Sequence, residues 1–242
     1  MSQIETAPGR PEIARIVAPN PGPMTLEGTN TYVVGRDPAL VIDPGPEDRG
    51  HIEAVAAEAE RRGGIGGVLL THSHADHAAG APLLDAPVLW GDGRSDADPF
   101  TAVPTPGHAR DHVCFVLDGA CFSGDLILGW GSSYVPPDGG SLAAYMDSLR
   151  RVQAFDLDLL CPGHGPFVTD PAAKIAEYLD HRLERERRLV AALERGERSR
   201  GRLLDDAWDD VPPELRGPAA QVMQAHLEKL EAEGRLPADL RD

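Results

Sequence analysis

Over the first 170 residues the apolar positions fall into short β-rich runs separated by Gly- and Pro-rich turns. Runs at 31–34, 40–42, 68–71, 87–90, 113–117, 120–122 and 158–161 have the length of strands and fall far short of a membrane span. Helical spacing intervenes at 51–62, where Ile52, Val55, Ala56 and Ala59 share one face. It returns at 141–155, where Leu142, Tyr145, Met146, Leu149 and Val152 share a face behind Ser141, a candidate N-cap. Strands, hairpins and helices mixed in this order predict an α/β layered fold, a β-core covered by helices.

The texture changes after Pro171. One long helix is predicted over 172–194, followed by interruptions at Gly196 and Gly201. Shorter helices follow at 203–208 and 217–233, separated by Pro212-Pro213, with Gly234 as a C-terminal cap. The expected division is a domain over 1–196 and a helical module over 197–242. A module this small should pack on its neighbour.

Composition narrows the function. Of 242 residues 23 are basic and 39 acidic, and the formal charge of −16 argues against coating nucleic acid or an anionic membrane. The first residues show neither a basic segment nor an apolar one of a secretory signal, so a cytoplasmic location is expected. Cys114, Cys121 and Cys161 lie in or beside apolar runs, as buried reduced thiols do.

The chemistry is concentrated in Thr71-His72-Ser73-His74-Ala75-Asp76-His77, directly after the apolar run Val68-Leu69-Leu70. His72 and His74 are two apart, which in extended backbone puts both imidazoles on one side. Four donors within six positions serve no packed core. Imidazole with carboxylate suits zinc, with manganese or iron as alternatives. Three more segments repeat the design at strand edges: Pro106-Gly107-His108, Ser123-Gly124-Asp125 and Pro162-Gly163-His164-Gly165. In each a His or Asp follows a Gly that lets the backbone turn sharply. Together they supply five His and two Asp, enough for two adjacent metal sites.

This ordered set resembles the metallo-β-lactamase superfamily, a four-layer αβ/βα sandwich of hydrolases. The resemblance implies one metal on His72, His74 and His108, a second on Asp76, His77 and His164, and Asp125 bridging the pair. Asp43, in Val41-Ile42-Asp43-Pro44-Gly45, matches a strand-end aspartate expected to orient a ligand histidine; the alternative is a turn-forming Asp before Pro-Gly. Within the superfamily the chain is similar to the β-lactamase-like protein 2 group, an endoribonuclease-like branch. The matching stretches are Gly28-Thr29-Asn30-Thr31-Tyr32, residues 105–112, 122–129 and 145–149, and Tyr178-Leu179-Asp180-His181-Arg182. That branch ends in a small winged-helix-like α module, which residues 199–236 match. The stretch 129–140, with Trp130 and Pro136-Pro137, departs from it.

Two divalent ions, the carboxylates of Asp76 and Asp125 and one bridging hydroxide would leave a residual positive charge. Such a site lowers the pKa of bound water and stabilises an oxyanion. The catalytic roles fall to Asp76, orienting the hydroxide and accepting its proton, and to Asp125 as the bridge. His112 stands open between a site role and a structural hydrogen bond. His51, His181 and His226 are expected at the surface or in packing, and Tyr134 is placed beside the site.

Substrate readings divide three ways. A nuclease acting on single-stranded RNA, which the branch implies, draws support from residues 182–202, with eight Arg against four Glu. A thioesterase or small-ester hydrolase of the hydroxyacylglutathione-hydrolase kind uses the same ligand set. A non-enzymatic regulator with a nucleic-acid-binding tail is disfavoured, because acidic groups outnumber basic ones over 199–242. Duplex nucleic acid and membranes are not expected partners.

Overall fold

The computed structural model describes residues 4–91, 94–95, 97–137 and 139–240. Two sheets form its centre. The first has seven strands in sequence order: β1 (Ile4–Ala7), β2 (Arg10–Val17), β3 (Asn30–Val34), β4 (Ala39–Ile42), β5 (Ile65–Leu69), β6 (Val88–Gly91) and β7 (Arg94–Ser95). The second has four, β8 (Thr101–Pro104), β9 (Val113–Leu117), β10 (Ala120–Gly124) and β11 (Leu159–Pro162), in the order β11-β10-β9-β8. Helix α1 (Arg49–Glu60) crosses between the parallel strands β4 and β5, and α3 (Leu142–Gln153) between the parallel strands β10 and β11. The single turn α2 (Ala75–Ala78) follows β5. Three helices end the chain: α4 (Pro171–Glu194), α5 (Arg200–Ala207) and α6 (Arg216–Ala232).

The period of two along each strand sorts side chains into layers. Tyr32, Val34, Ile42 and Leu69 of the first sheet meet Phe115, Phe122, Leu159 and Cys161 of the second. Tyr32 and Phe122 stack edge to face with ring centroids 5.2 Å apart. The alternate residues Val33, Val41 and Val68 face α1 through Ile52, Val55 and Ala59. On the far side Cys114, Cys121 and Leu160 face Leu142, Tyr145, Met146 and Leu149 of α3. The result is the expected α/β four-layer sandwich.

Helices α3 and α4 start at side-chain caps, Ser141 as the sequence predicts and Asp170 in addition. Ser141 accepts from the Ala144 amide at 3.3 Å and Asp170 from the Ala173 amide at 3.0 Å. Strands β1, β2, β7 and β8 lie outside the expected set. β1 is short and largely exposed, β2 opens on Arg10-Pro11-Glu12, and β8 is an edge strand ending at Pro104, so none carries a full apolar run.

The two sheets are tied together at one rim. Asn30 donates through Nδ2 to the carbonyls of Pro162 and Gly165, each at 2.8 Å, and its amide donates to Gly163 at 2.7 Å. The Val113 amide donates to Thr71 at 2.8 Å. This clamp explains the Gly28-Thr29-Asn30-Thr31-Tyr32 stretch, since Tyr32 also donates to the Pro162 carbonyl at 2.7 Å.

A second core forms where α4 meets the tail: Leu189, Ala192 and Leu193 pack with Leu203, Leu204, Trp208, Met223, Leu227 and Leu230. Gly234, at φ +70°, lets the chain turn back so that the Arg235 amide caps the Leu230 carbonyl at 2.8 Å.

Candidate metal centre

Each donor leaves the rim from the end of a strand or the loop beside it. His72 and His74 follow β5, Asp76 and His77 lie on α2, and His108 occupies the β8–β9 loop. Asp125 follows β10 and His164 follows β11. The fold brings all seven together in three overlapping groups: His72, His74 and His108; His72, His77 and Asp125; and Asp76, His77 and His164.

Asp125 stands between the halves. Its Oδ2 lies 3.5 Å from His108 Nε2, while its Oδ1 lies 3.4 Å from both His77 Nε2 and His164 Nε2. Asp76 Oδ2 lies 3.3 Å from His164 Nε2 and 3.5 Å from His77 Nε2. Five of the donors are buried. His74 is exposed and Asp76 partly so, which opens the centre toward solvent on their side.

The outer nitrogens fix which ring atoms face inward. His108 Nδ1 donates to the Tyr134 carbonyl at 2.6 Å, and His164 Nδ1 donates to the Gly28 carbonyl at 3.2 Å. His77 Nδ1 donates to Asp43 Oδ2 at 2.9 Å. Thr71 Oγ1 donates to the same Asp43 oxygen at 2.7 Å and therefore accepts from His72 Nδ1 at 3.0 Å. In their neutral form all four imidazoles thus present Nε2 lone pairs to the interior. His72 Nε2 and His108 Nε2 lie only 2.9 Å and 3.0 Å from His74 Nδ1. A proton on His74 Nδ1 can serve only one of these two acceptors, whereas a cation among them would satisfy all three nitrogens. In addition, His77 Nε2, His164 Nε2 and Asp125 Oδ1 are buried without a hydrogen-bond partner among the described residues. Buried polar atoms are nearly always satisfied, so this convergence fits a cation site.

The pKa shifts point the same way. Burial and the neighbouring His77 lower His72, and burial and His108 lower His74, so both favour the neutral ligand form. At His164 burial opposes the charged ring, but the Asp125 and Asp76 carboxylates outweigh it and push the group up to about 9. Asp125 is lowered: burial works against its charge, and His77 and His164 overcome it. The half containing His164 is thus a place where positive charge is favoured.

Asp43 combines the two readings open in the sequence. Its φ of +49° makes it a left-handed turn residue, and its carboxylate holds His77 and Thr71. His112 resolves toward structure: it accepts from the Asp125 amide at 3.1 Å through Nε2 and contacts Thr105 Oγ1 at 2.8 Å through Nδ1. His51 and His226 are buried and packed, whereas His181 borders the cavity described below. Sequence reasoning passed over Thr71, Ser133 and the backbone carbonyls of Gly28 and Tyr134. Ser133 donates to the Asp125 carbonyl, and Tyr134 donates through its hydroxyl to Gln221 on α6. The loop after Gly129 therefore links the centre to the helical tail.

A cavity of about 800 Å³ opens from His74, Asp76, His108 and Asp125 and runs between this loop and α4–α6. Its far wall is apolar, formed by Trp208, Val211, Leu215, Pro218 and Val222. Met24 and Trp130, 49% and 48% exposed, line it as well.

The family model described as the metallo-beta-lactamase superfamily matches residues 24–87 and 91–164. This chain belongs to the metallo-β-lactamase superfamily. A model described as the beta-lactamase associated winged helix domain matches residues 203–238. Among curated relatives, the lactamase-like protein adaB of Aspergillus niger is 40% identical over 76% of this chain, which spans 64% of that protein's length. An atrochrysone carboxyl ACP thioesterase of Aspergillus fumigatus is 36% identical over 96% of this chain and 76% of its own. The beta-lactamase-like protein 2 homolog of Drosophila melanogaster is 31% identical over 93% and 89%. A beta-lactamase domain protein from Burkholderia ambifaria shares the fold, with a TM-score of 0.78 at 19% identity over 96% of this chain and 88% of its own.

Proposed function

We propose that this protein is a dinuclear, zinc-dependent hydrolase that cleaves a thioester or ester carrying an apolar acyl group. The observation that carries the reading is the cavity, which begins at metal-facing atoms of His74, His108, Asp76 and Asp125 and ends on an apolar wall. His72, His74 and His108 would hold one ion, Asp76, His77 and His164 the other, and Asp125 both. When bound, such a pair supplies Lewis acidity toward an acyl carbonyl and brings the pKa of water toward neutrality.

The residues of the chain do the rest. Asp76, on the open side of the cluster, orients the attacking water and takes its proton on the carboxylate oxygen that does not face His77 and His164. The apolar wall holds the acyl group and excludes water from it. The new C–O bond forms at the carbonyl carbon, the C–S or C–O bond to the leaving group breaks, and the thiol or alcohol leaves with the proton that Asp76 has held.

The basic segment supports single-stranded RNA less well than its composition implies. Arg185 pairs with Asp210, Arg187 with Glu184, Arg188 with Asp209, Arg195 with Asp206, Arg198 with Asp239 and Arg202 with Glu197. Acidic groups of the tail thus neutralise the helix that would track phosphates. The Aspergillus fumigatus relative is named a thioesterase, which agrees with the acyl reading.

The test loads the full chain with zinc and presents a thioester, a bis-aryl phosphodiester and a single-stranded RNA at rising salt. Thioester turnover indifferent to salt, with about two metal ions per chain by elemental analysis, is expected. RNA cleavage that falls steeply with salt would instead establish the nuclease. Asp125→Ala should lose metal and turnover together; a variant retaining two ions and full activity would remove Asp125 from the bridge.

A further inference from the structure

Arg182 lines the same cavity while only 3% exposed. Its guanidinium donates to the Ser133 carbonyl and lies 5.2 Å from the centre of the Tyr145 ring. Its Nε is buried without a hydrogen-bond partner. Among the described residues no carboxylate lies within ion-pair distance of it, although six neighbours between Arg185 and Arg202 are each paired. Arg185, beside it on α4 and on the same cavity, gives both terminal nitrogens to Asp210 at 2.6 Å and 2.9 Å.

A guanidinium held out of water with only neutral partners is an expensive arrangement for a fold to keep. It is also the group best shaped to grip a carboxylate by two parallel hydrogen bonds. One serine links it to the centre, since Ser133 accepts from Arg182 and donates to the Asp125 carbonyl. Arg182 is therefore tied to the centre, and the apolar residues line the same cavity.

We propose that Arg182 forms an anion subsite for a carboxylate carried by the acyl part of the substrate, close to the scissile carbonyl. The substrate class becomes a half-thioester or half-ester of a dicarboxylic acid, with its apolar substituent on the far wall. This rests on the acyl-hydrolase reading above.

The zinc-loaded full chain is given the succinyl thioester of N-acetylcysteamine and the same thioester with its free carboxylate methylated. The wild type should favour the free acid by roughly 10- to 100-fold in kcat/KM, mainly through KM, the range of a charge-assisted hydrogen bond. In Arg182→Met that ratio should fall toward one, and in Arg182→Lys, which keeps the charge without the fork, it should lie between. A wild-type ratio near one overturns the subsite. A large ratio that persists in Arg182→Met does so too, since a residue that only supports Ser133 would slow both substrates alike. Should Arg182→Met fail to fold, the wild-type ratio and Arg182→Lys decide. A second readout is fluorescence titration with phenylsuccinate and its monomethyl ester, using Trp130 and Trp208 in the cavity wall. Discrimination there that is lost in Arg182→Met, with neither thioester turned over, would keep the subsite and remove the hydrolase reading. Equal turnover of both thioesters would do the reverse.

Discussion

Single side chains decide whether the seven donors point inward, and Asp43 is the one on which most depends. Its carboxylate receives the Thr71 amide, the Thr71 hydroxyl and His77 Nδ1, at 2.7, 2.7 and 2.9 Å. Asp43→Ala strands all three buried donors, at about 1–3 kcal/mol each where no water replaces the carboxylate. Metal affinity should drop roughly 10- to 100-fold, because His77 and, through Thr71, His72 lose their orientation. Competition with a chromophoric chelator measures this, and unchanged affinity would show that the rings orient themselves. The convergence of the seven side chains was legible in the sequence, because four donors within six positions, and a His or Asp directly after Gly at three further strand ends, are spacings that packing does not produce. Their supports were not. A backbone carbonyl such as Tyr134 or Gly28 has no residue-type signature, and His112 looks the same in sequence whether it binds a metal or an amide.

At the level of elements, the approach of α3 to the site loop sets the position of His108. Gly107 has φ +150°, and a Cβ there would lie 2.4 Å from Tyr145 Cα and 2.6 Å from its nitrogen, backbone atoms that no rotamer change can move. Gly107→Ala must push α3 away from the sheet or displace the loop carrying His108. A cost at the upper end of overpacking, about 3 kcal/mol, lowers the melting temperature of a chain this long by roughly 6–12 °C. A melt matching wild type would mean that the helix packs with slack. Helices were legible because amphipathic stripes persist over three or more turns; α3 starts where Ser141 caps it, whereas the Asp170 cap of α4 went unread. Strands β1 and β8 were not, because pairing at a sheet edge asks little of sequence. The α4–α6 core was legible only in part: the stripes were visible, but not that Leu189 and Leu193 of α4 would join the tail's core.

For the molecule as a whole, the helical tail introduces a dependence on pH. His226 on α6 is buried against Trp208, with ring centroids 5.6 Å apart, and neither ring nitrogen has a hydrogen-bond partner among the described residues. Burial lowers its pKa well below 6.5, and the cations Arg182 and Lys229 add to the effect. His51, buried beneath the first sheet, is lowered to about 4, chiefly by burial. In both cases the unfolded chain takes up a proton near pH 6.5 while the folded chain does not. The stabilisation is therefore complete above that pH and is lost as pH falls below it; for His51 the loss levels off near 4. For one such group the loss reaches about 2 kcal/mol at pH 5, from 1.4 kcal/mol per pH unit. Because His226 makes no hydrogen bond, replacing it with Leu leaves no partner unsatisfied and should be near neutral at pH 7.5. At pH 5 the same variant should melt above wild type by roughly 4–8 °C, since it has nothing to protonate. Melting curves of the two proteins at pH 7.5, 6.5 and 5 test this. Curves that stay parallel across that range would show that His226 is solvated or paired in solution, and that the tail's core opens more readily than its packing implies.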